Sequence, residues 1–405
     1  MTARVGAAAP GLMTGPLDGL LVVSIEQAVS APYATRQLAD LGARVVKVER
    51  PDGGDFARHF DTYANGTGAH FAWVNRNKES LTLDVKAPAG REVLDALLAQ
   101  ADAFVHNLVP GAAPRLRLDG ASLRAAYPRL VVCEISGYGT GGPFDDRKAY
   151  DLLVQSEGGL AAITGSLAHP VKPGIAVADI AAGMFGFSSV LAALLNRART
   201  GEGCVLEVSM LDALADWMGY PLVVRRHGAT PDLTSGMSHP AIAPYDAYPT
   251  ADGRLVAVSV QNDREWVRLA TLVLDRPEWA DDPRYATNEA RVAHRADIDG
   301  VLAAVVARHD SAAAVALLHG AGMGAAVVND LGEVVEHPQL TGRNRWLAVP
   351  APKGPVATPL APPVTAAWTT PAGPVPALGE HTTAILRELG YDDASIQRLR
   401  DEDVV

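Results

Sequence analysis

The sequence predicts an α/β protein with a mostly parallel sheet in a large domain, followed by a smaller α+β domain. Strand-length apolar runs alternate with helical patterns through the first half of the chain, which is typical of a parallel sheet covered by helices on both faces. With 405 residues the chain also exceeds the size of one hydrophobic core. From about residue 223 Pro and Gly become frequent and the alternation stops, so we expect a second domain there.

The large domain begins with a predicted β-α-β unit. Pro32 can open its helix, Tyr33–Leu41, and Gly42 can end it. Pro88 opens another helix whose apolar residues share one stripe, and a long apolar helix is predicted at Ala176–Arg197. The predicted strands are Leu20–Ile25, Arg44–Glu49, Leu81–Asp84, Ala103–His106, Leu130–Ile135 and Cys204–Ser209.

The second half of the chain predicts a hairpin around Ala251-Asp252-Gly253, then helices at Arg264–Leu274 and His294–Arg308. A last helix is predicted near His381–Leu389, after a Pro-rich stretch. We expect a flexible N-terminus at 1–16, the large domain at 17–222, the small α+β domain at 223–336, and a C-terminal segment, 337–405, that returns to the large domain.

Composition excludes several classes of partner. The net charge of −11 gives no general attraction for nucleic acid or anionic membranes. Cys133 and Cys204 each lie in a strand-like run, as expected of free thiols in a cytoplasmic protein. No His or Cys has metal-ligand spacing. The stretch Ile175–Leu195 is long enough to span a bilayer, but its single charge and its glycines favour a buried core helix.

Common nucleotide and hydrolase motifs are absent or fail. Gly137, Gly139 and Gly142 formally satisfy G-x-G-x-x-G, but the residues that follow are typical of a turn and not of a helix. The first strand–helix turn, 26–32, contains no glycine, so the pyrophosphate site of a NAD enzyme is not expected. The sequence has no P-loop and no G-x-S-x-G elbow.

Asp179 is unusual because it is the one charge in the apolar segment Ile175–Leu195. An unpaired carboxylate buried in such a segment would cost several kcal/mol. Gly183 and Gly186 fall on the same helical face, which would leave room for a substrate beside the carboxylate. Alternatively Asp179 is the N-cap of the helix, where the helix dipole keeps it ionised. The residue pattern leaves both interpretations open.

Ordered motifs along nearly the whole chain resemble those of the class III CoA-transferases, the superfamily of formyl-CoA transferase and α-methylacyl-CoA racemase. The motifs are EQAVSAPYATRQLADLGARVVKVERPDGGDFAR (26–58), NRNKESLTLDVK (75–86), ADAFVHNLVPGAAPRL (101–116), ISGYGTGGPF (135–144), YDLLVQSEGGLAAITG (150–165), VADIAAGMFG (177–186), RTGEGCVLEVSMLDAL (199–214) and DDPRYATNEARVAHR (281–295). The first two motifs, together with SHPAIAPYDAYP (238–249), are most similar to the branch that handles C4–C5 dicarboxylates such as mesaconyl-, itaconyl-, citramalyl- and succinyl-CoA.

The resemblance implies that residues 17–222 form a Rossmann-like CoA-binding domain and that Asp179 is the catalytic nucleophile. In the family this carboxylate attacks an acyl-CoA to give a mixed anhydride, and the released CoA then forms an aspartyl-CoA thioester. CoA and acyl-CoA are substrates, and no permanently bound cofactor is expected. Family members form interlocked homodimers, so we expect one here.

The motif positions also imply ligand contacts. The basic residues expected to hold CoA phosphates are Arg50, Lys86, Arg115 and Lys148, and further CoA contacts are implied at Ala28, Val29, Leu83, Asn107 and Leu108. Tyr150 is expected to line the acyl pocket. Arg76 and His239 are candidates for binding a second substrate carboxylate.

Two alternatives to CoA transfer stand. The racemase branch uses a His–Asp pair where this chain has Tyr150-Asp151, and a tyrosine is a poor base near neutral pH, so transfer is favoured over racemisation or epimerisation. The second alternative is a non-catalytic CoA-binding protein of the same fold.

Overall fold

The computed structural model describes residues 15–229, 233, 236–360, 365 and 367–405. Within these residues the chain forms two compact units. The first comprises the described residues up to Leu160, together with Lys172–Gly219 and the described part of Thr341–Val405. The second comprises Ala161–Val171 and the described part of Tyr220–Leu340. The domain boundaries drawn from the sequence stay a prediction, and nearly all of the expected flexible N-terminus lies outside the described residues.

The first unit contains a six-stranded sheet, and each neighbouring pair of its strands is parallel. This confirms the predicted α/β fold class. The strands are β1 (Leu21–Ile25), β2 (Arg44–Glu49), β3 (Lys78–Thr82), β4 (Ala103–His106), β5 (Val131–Ser136) and β6 (Val205–Ser209), in the spatial order β3-β2-β1-β4-β5-β6. Because β1 lies next to both β2 and β4, the strand order reverses between β1 and β4.

Helices connect these strands and continue through the rest of the chain. In chain order they are α1 (Ser30–Asp40), α2 (Ala69–Asn75), α3 (Pro88–Leu98), α4 (Ala112–Arg115), α5 (Gly120–Ala126), α6 (Asp151–Glu157), α7 (Leu160–Thr164), α8 (Val177–Thr200), α9 (Met210–Trp217), α10 (Gly219–Arg226), α11 (Asp263–Leu272), α12 (Asn288–Ala293), α13 (Arg295–Val306), α14 (Ser311–Gly320), α15 (Leu331–Val335), α16 (Pro338–Thr341), α17 (Thr382–Glu388) and α18 (Asp393–Asp401), with 3₁₀ turns at Phe56–His59 and Pro277–Ala280.

Two differences from the predicted elements have a local cause. Strand β3 starts at Lys78, three residues before the predicted start, because the buried Lys78 side chain is paired with Glu26 and therefore tolerates the sheet interior. Helix α1 begins at Ser30, ahead of Pro32, since Pro is accepted within the first helical turn where backbone N–H groups need no helical partner.

Helix α8 packs on α1 and on β5 at two glycines. A Cβ added at Gly183 would lie 2.6 Å from the carbonyl oxygen of Ser30, and one added at Gly186 would lie 3.0 Å from the Ile135 side chain. The sequence-based expectation that these glycines leave open space for a substrate is therefore wrong. They allow close approach of the helix to its neighbours.

The C-terminal residues complete the core of the first unit. A short hairpin of β10 (Trp346–Val349) and β11 (Val356–Pro359) precedes α17 and α18. Ile385 and Leu386 of α17 and Ile396 of α18 are buried in the same apolar cluster as Phe104 of β4. Residues far apart in the sequence thus share one core.

The second unit is α+β. Its sheet is antiparallel and consists of β7 (Tyr245–Pro249), β8 (Leu255–Ser259) and β9 (Gly324–Val327). The β7–β8 pair confirms the hairpin predicted around Ala251-Asp252-Gly253. Trp266, which is fully buried, packs with Tyr285 and Leu302 in the core between this sheet and its helices.

Among the described residues, α8 is long and apolar enough to cross a membrane, and α13 with α14 would pass the same test only as one sharply bent pair. In this fold α8 buries Ala181, Ala182 and Val190 along the faces that contact the rest of the first unit. This packing accounts for part of its apolar character, since 44% of the most apolar stretch of α8 is buried.

Candidate active site

The carboxyl ends of the six parallel strands form one edge of the sheet, and the loops that follow them lie at this edge. Ligands of open α/β sheets bind in the crevice where the strand order reverses. Here that crevice lies between the loop after β1, residues 26–29, and the loop after β4, which begins at Asn107. The topology therefore points to a ligand site beside these two loops.

Asn107 holds the loop after β1 in place. Its Oδ1 accepts a hydrogen bond from the backbone N–H of Gln27 at 2.9 Å, and its Nδ2 donates to the Gln27 carbonyl oxygen at 2.8 Å and to the Ser30 hydroxyl at 3.1 Å. Ala28 has a left-handed backbone with φ of 61°, and its N–H donates to Asp55 Oδ1 at 3.1 Å. Both ends of this glycine-free turn are thus fixed by side chains.

Asp179 lies in the first turn of α8 and faces Ser30. The N-cap of α8 is Ala176, so the interpretation of Asp179 as the N-cap is wrong. The hydroxyl and the backbone N–H of Ser30 donate hydrogen bonds to the Asp179 carboxylate. Asp179 itself keeps part of its surface exposed to solvent. The carboxylate is thus held by a neighbouring helix N-terminus, in a residue that lies at the boundary between the interior and the solvent.

The ionisation of Asp179 differs from the sequence-based expectation of a carboxylate kept ionised by the helix dipole. Burial and the nearby Asp151 carboxylate raise the pKa of Asp179 to about 7, although the hydrogen bonds from Ser30 act in the opposite direction. Strongly perturbed carboxyl groups in a cleft are candidates for catalysis. Above neutral pH Asp179 is an anion that is poorly solvated, which favours its reaction as a nucleophile or base.

Asp151 lies at the start of α6 and links that helix to α8. Its Oδ1 accepts a hydrogen bond from the backbone N–H of Ala178 at 3.0 Å, and its Oδ2 accepts one from Gln155 Nε2 at 2.7 Å. Lys172 Nζ lies 3.9 Å from Oδ2. Asp151 therefore caps the N-terminus of the helix that carries Asp179.

No group of three or more His, Cys, Asp or Glu side chains that could hold a metal ion occurs in the described part of the chain. The chemistry that this geometry offers is that of one reactive carboxyl group, Asp179, with a second acid behind it. Such a group can attack an electrophilic carbonyl carbon or exchange a proton with a ligand.

The sequence matches the model of CoA-transferase family III over residues 17–382. The chain belongs to CoA-transferase family III. It is 34% identical over 384 residues to succinate–glutarate CoA-transferase of Agrobacterium fabrum, a match that covers 92% of this chain and 96% of the relative. It is 33% identical over 390 residues to mouse succinyl-CoA:glutarate CoA-transferase, covering 95% and 89% of the two chains.

A solved structure has the same fold. The crystal structure of a CaiB/BaiF family protein from Brucella suis superposes with a TM-score of 0.80 at 33% sequence identity, covering 93% of this chain and all of that one. Membership of this family and these relatives make the protein a CoA-transferase, an enzyme whose substrates are CoA thioesters and carboxylates. The recognition of the family from the ordered motifs is confirmed.

The predicted CoA contacts of this CoA-transferase follow four neighbouring strands, although no ligand tests the individual roles. The residues in question are Ala28 and Val29 after β1, Arg50 after β2, Leu83 and Lys86 after β3, and Asn107, Leu108 and Arg115 after β4. Lys148 and Tyr150 lie between β5 and α6, next to Asp151. The fold thus brings these residues to the same edge of the sheet.

The four predicted phosphate ligands have exposed side chains: Arg50, Lys86, Arg115 and Lys148. Among the described residues, Arg50 contacts the exposed Asp52, at 3.7 Å, and the Gly54 carbonyl oxygen, at 3.4 Å. Exposed cations without buried partners can turn to a flexible polyanion at little cost. Their assignment to CoA stays a prediction.

Several predicted contacts can involve only part of the residue. The side chains of Val29 and Leu83 are buried in the protein, with 3% and 1% exposed. The N–H of Ala28 and the side-chain amide of Asn107 are already hydrogen-bonded inside the protein. A ligand would meet these residues through their remaining backbone atoms, and Leu108, which is half-buried, through its side chain as well.

Arg76 is not placed to bind a substrate carboxylate, and this prediction is wrong. Its side chain is fully buried, with Nε and Nη2 bonded to Asp40 at 3.1 and 2.7 Å and Nη1 bonded to Thr358 at 3.0 Å. Asp40 ends α1, whereas Ser30 begins it, and an 11-residue helix is about 15 Å long. Arg76 therefore joins α1 to the C-terminal hairpin, away from Asp179.

His239 belongs to the second unit, where its ring lies between Tyr220 and Tyr245 at centroid distances of 6.0 and 5.4 Å. Its Nδ1 accepts a hydrogen bond from the Ala241 N–H at 3.1 Å, so the neutral ring carries its proton on Nε2. A donor of this kind suits a carboxylate. Its role in substrate binding stays a prediction.

Sequence reasoning missed two residues that the fold brings to Asp179, Ser30 and Asp151, and also Gln155, which donates a hydrogen bond to Asp151. Asp151 directly follows Tyr150 at a predicted helix start, and Gln155 is four residues later on the same face, so the pair was detectable as a local polar group in an apolar helix. Ser30 gives no such signal, because its approach to Asp179 exists only through the packing of α8 on α1.

Proposed function

We propose that this CoA-transferase moves CoA between C4–C5 dicarboxylic acids by a ping-pong reaction in which Asp179 is the covalent nucleophile. The observation that carries the proposal is the Asp179 carboxyl group, which has a pKa of about 7 and belongs to a partly exposed residue at the edge of the sheet where ligands bind. The relatives named as succinate–glutarate and succinyl-CoA:glutarate CoA-transferases support the class of substrate, as does a Chloroflexus aurantiacus succinyl-CoA–D-citramalate CoA-transferase that is 29% identical.

The first half-reaction makes and breaks two bonds to carbonyl carbon. A carboxylate oxygen of Asp179 attacks the thioester carbon of the acyl-CoA, and the C–S bond breaks to release CoA thiolate and leave a mixed anhydride. The thiolate then attacks the side-chain carbonyl carbon of Asp179, and the donor acid leaves as its carboxylate. Asp179 now carries CoA as a thioester.

The acceptor acid reverses these steps. Its carboxylate attacks the aspartyl-CoA carbon, releases CoA thiolate and forms a second mixed anhydride. The thiolate attacks the acyl carbon of the acceptor, which leaves as the new acyl-CoA and restores the Asp179 carboxylate. No proton is consumed in either half, so the protein must supply an ionised Asp179 and hold the CoA thiolate nearby.

The surroundings of Asp179 suit this chemistry. Burial and Asp151 destabilise the anion and so increase its reactivity, while the two hydrogen bonds from Ser30 orient it. Exposed cations at the same edge of the sheet, Arg50, Lys86 and Arg115, can hold the phosphates of CoA through both half-reactions.

The test is a matrix of acyl-CoA donors against mono- and dicarboxylate acceptors, with products identified by mass spectrometry. We expect exchange among C4–C5 dicarboxylates, a hydroxylamine-sensitive adduct on Asp179, and loss of both with Asp179→Ala. Asp393→Asn is the matched control, since this exposed aspartate in the first turn of α18 pairs with Arg387 at the surface. Exchange confined to monocarboxylates would refute the substrate class, and solvent deuterium entering the α-carbon without an acceptor would indicate racemisation instead.

A substitution at His239 tests whether this residue binds a second substrate carboxylate. We expect His239→Gln to raise KM for a dicarboxylate acceptor about tenfold with little change in kcat, because one neutral donor supports binding of both ground and transition states. His227→Gln, at an exposed histidine just after α10, serves as the control. Equal effects on mono- and dicarboxylates would contradict the assignment.

We further propose that the enzyme is an interlocked homodimer, is cytoplasmic and holds no permanently bound cofactor. Large apolar side chains in the first unit support a covered surface: Tyr63, Leu195 and Phe60 are 90%, 65% and 52% exposed. Light scattering should give twice the mass of the 405-residue chain, cell fractionation should place the enzyme in the cytoplasm, and mass spectrometry of the purified protein should detect no retained cofactor. A monomer at micromolar concentration would refute the dimer.

A further inference from the structure

A network of buried charges lies beneath the loop that follows β1. It contains three acids and three bases: Glu26, Glu49, Asp55, Lys47, Arg58 and Lys78. The side chains of Glu26, Lys47, Asp55 and Lys78 are inaccessible to solvent. Buried ion pairs of this kind often add little to stability compared with apolar residues of similar volume.

Asp55 is the member of this network that contacts the loop. Its Oδ2 accepts a hydrogen bond from Lys47 Nζ at 2.7 Å. Its Oδ1 accepts one from the N–H of Ala28 at 3.1 Å and another from the N–H of Ala57 at 2.9 Å. One carboxylate therefore connects a lysine of β2 to the backbone of the loop between β1 and α1.

Ala28 needs this contact because its φ of 61° is unfavourable for a residue with a Cβ. The conformation turns the chain so that α1 starts at Ser30, where the hydroxyl and N–H meet Asp179. Asn107 fixes Gln27 on one side of Ala28, and Asp55 fixes Ala28 itself.

We propose that Asp55 is a positioning residue of the transferase: its ionised carboxylate, held by Lys47, keeps Ala28 in the left-handed conformation that sets Ser30 against Asp179. The role of Asp179 in this inference rests on the proposed function. The geometry of the loop, and hence its capacity to bind CoA, does not.

The charge of Asp55 matters because both of its oxygens accept hydrogen bonds. Burial alone would lower the pKa of Lys47, but Asp55 and Glu26 raise it above its usual value, so the lysine stays an ammonium group. In Asp55→Asn the single amide oxygen turns to this ammonium. The NH₂ group then faces the N–H groups of Ala28 and Ala57, and two donors cannot pair.

The experiment compares Asp55→Asn with Asp40→Asn in the full-length enzyme. Asp40 is a matched control: it is buried, bonds Arg36 and Arg76 with both oxygens, and lies at the other end of α1. For each variant we would measure the melting temperature, the dissociation constant of CoA, and the pH dependence of kcat/KM.

We expect both substitutions to lower the melting temperature. Only Asp55→Asn should weaken CoA binding, by about tenfold. It should also reduce kcat/KM by roughly 100-fold, because a misplaced catalytic group costs about that much. The midpoint of the kcat/KM profile of Asp55→Asn should move to higher pH, because Asp179 loses the hydrogen bonds from Ser30 that lower its pKa. Glycine tolerates the left-handed conformation, so adding Ala28→Gly to Asp55→Asn should restore much of the CoA affinity.

Each other outcome overturns the inference. Equal losses in the Asp55 and Asp40 variants, or no recovery with Ala28→Gly, would show that the network only stabilises the fold. Should Asp55→Asn not fold, Lys47→Met with Asp55→Asn replaces it: the amide oxygen is then free to face Ala28, and tenfold weaker CoA binding would contradict the mechanism. If the wild-type enzyme forms no adduct at Asp179, the proposed function fails, while CoA affinity still decides the inference.

Discussion

Asp151 caps the helix that carries Asp179: its Oδ1 accepts the backbone N–H of Ala178, the residue before Asp179, at 3.0 Å. The cap and the reactive group are both carboxyl groups, so the element that positions Asp179 also disfavours its negative charge. Most helix caps stabilise a structure without affecting its chemistry. Here the same contact sets the direction of α8 and the ionisation of its first turn.

The pH dependence of transfer follows from this pair. Since Asp179 must be ionised to attack, kcat/KM should rise with pH around a midpoint near 7. Asp151→Asn keeps an acceptor for Ala178 but removes the charge, so the pKa of Asp179 falls and the midpoint moves to lower pH. Asp146→Asn, at an exposed position in the preceding loop, is the control. An unchanged midpoint in the Asp151 variant would mean that Asp151 does not raise the pKa.

The stability of the enzyme should depend on pH through Asp179. Its folded-state pKa of about 7 lies above the usual 3.8, so the stabilising contribution of the neutral group is complete below 3.8 and is lost as pH rises through 7. Asp179→Asn, which never ionises, should therefore raise the melting temperature by a few degrees at pH 8 and by less at pH 5. Calorimetry at the two pH values checks this prediction. A larger increase in melting temperature at pH 5 than at pH 8 would refute the predicted direction of the pH dependence.

Gly183 should tolerate no side chain. In Gly183→Ala the new Cβ meets the Ser30 carbonyl oxygen at 2.6 Å, a backbone atom that can yield only if α1 and α8 separate. We expect a loss of about 1–3 kcal/mol in unfolding free energy, together with lower transferase activity because Ser30 moves from Asp179. Gly300→Ala, in α13 with nothing within 4 Å, should instead be neutral or stabilising. Denaturant titration of both variants measures these changes in unfolding free energy. Equal losses in Gly183→Ala and Gly300→Ala would contradict the packing argument.

Arg76 and Arg115, which were predicted to bind a substrate carboxylate and a CoA phosphate respectively, should respond differently to substitution. Arg76→Met removes a buried partner of Asp40 and should cost about 3–5 kcal/mol of unfolding free energy. Arg115→Met, at an exposed cation, should change stability by less than about 0.5 kcal/mol. Arg115→Met should instead weaken CoA binding roughly tenfold, as measured by calorimetric titration. The loss of affinity should be smaller at high salt, because salt screens the interaction between the cation and the phosphate. Normal CoA affinity in this variant would remove Arg115 from the site.

The sequence was sufficient for the features that depend on local pattern. Alternating apolar runs and helices predicted the parallel sheet, and the turn residues around Asp252 predicted the β7–β8 hairpin. Ordered motifs identified the family. The anomaly of one charge in an apolar helix singled out Asp179, because a carboxylate in an apolar segment is visible in the sequence and is costly to bury unless it finds a partner.

Only the tertiary structure decided what surrounds each of these residues. Asp179 was expected to be ionised, but its pKa depends on burial and on Asp151, which another helix brings close. Arg76 looked like a substrate cation until Asp40 and Thr358, both distant in the sequence, occupied its donors. Periodicity predicts which face of a helix is apolar. The partner that this face meets, and therefore the charge state and accessibility of the polar groups on it, depends on how separate elements pack.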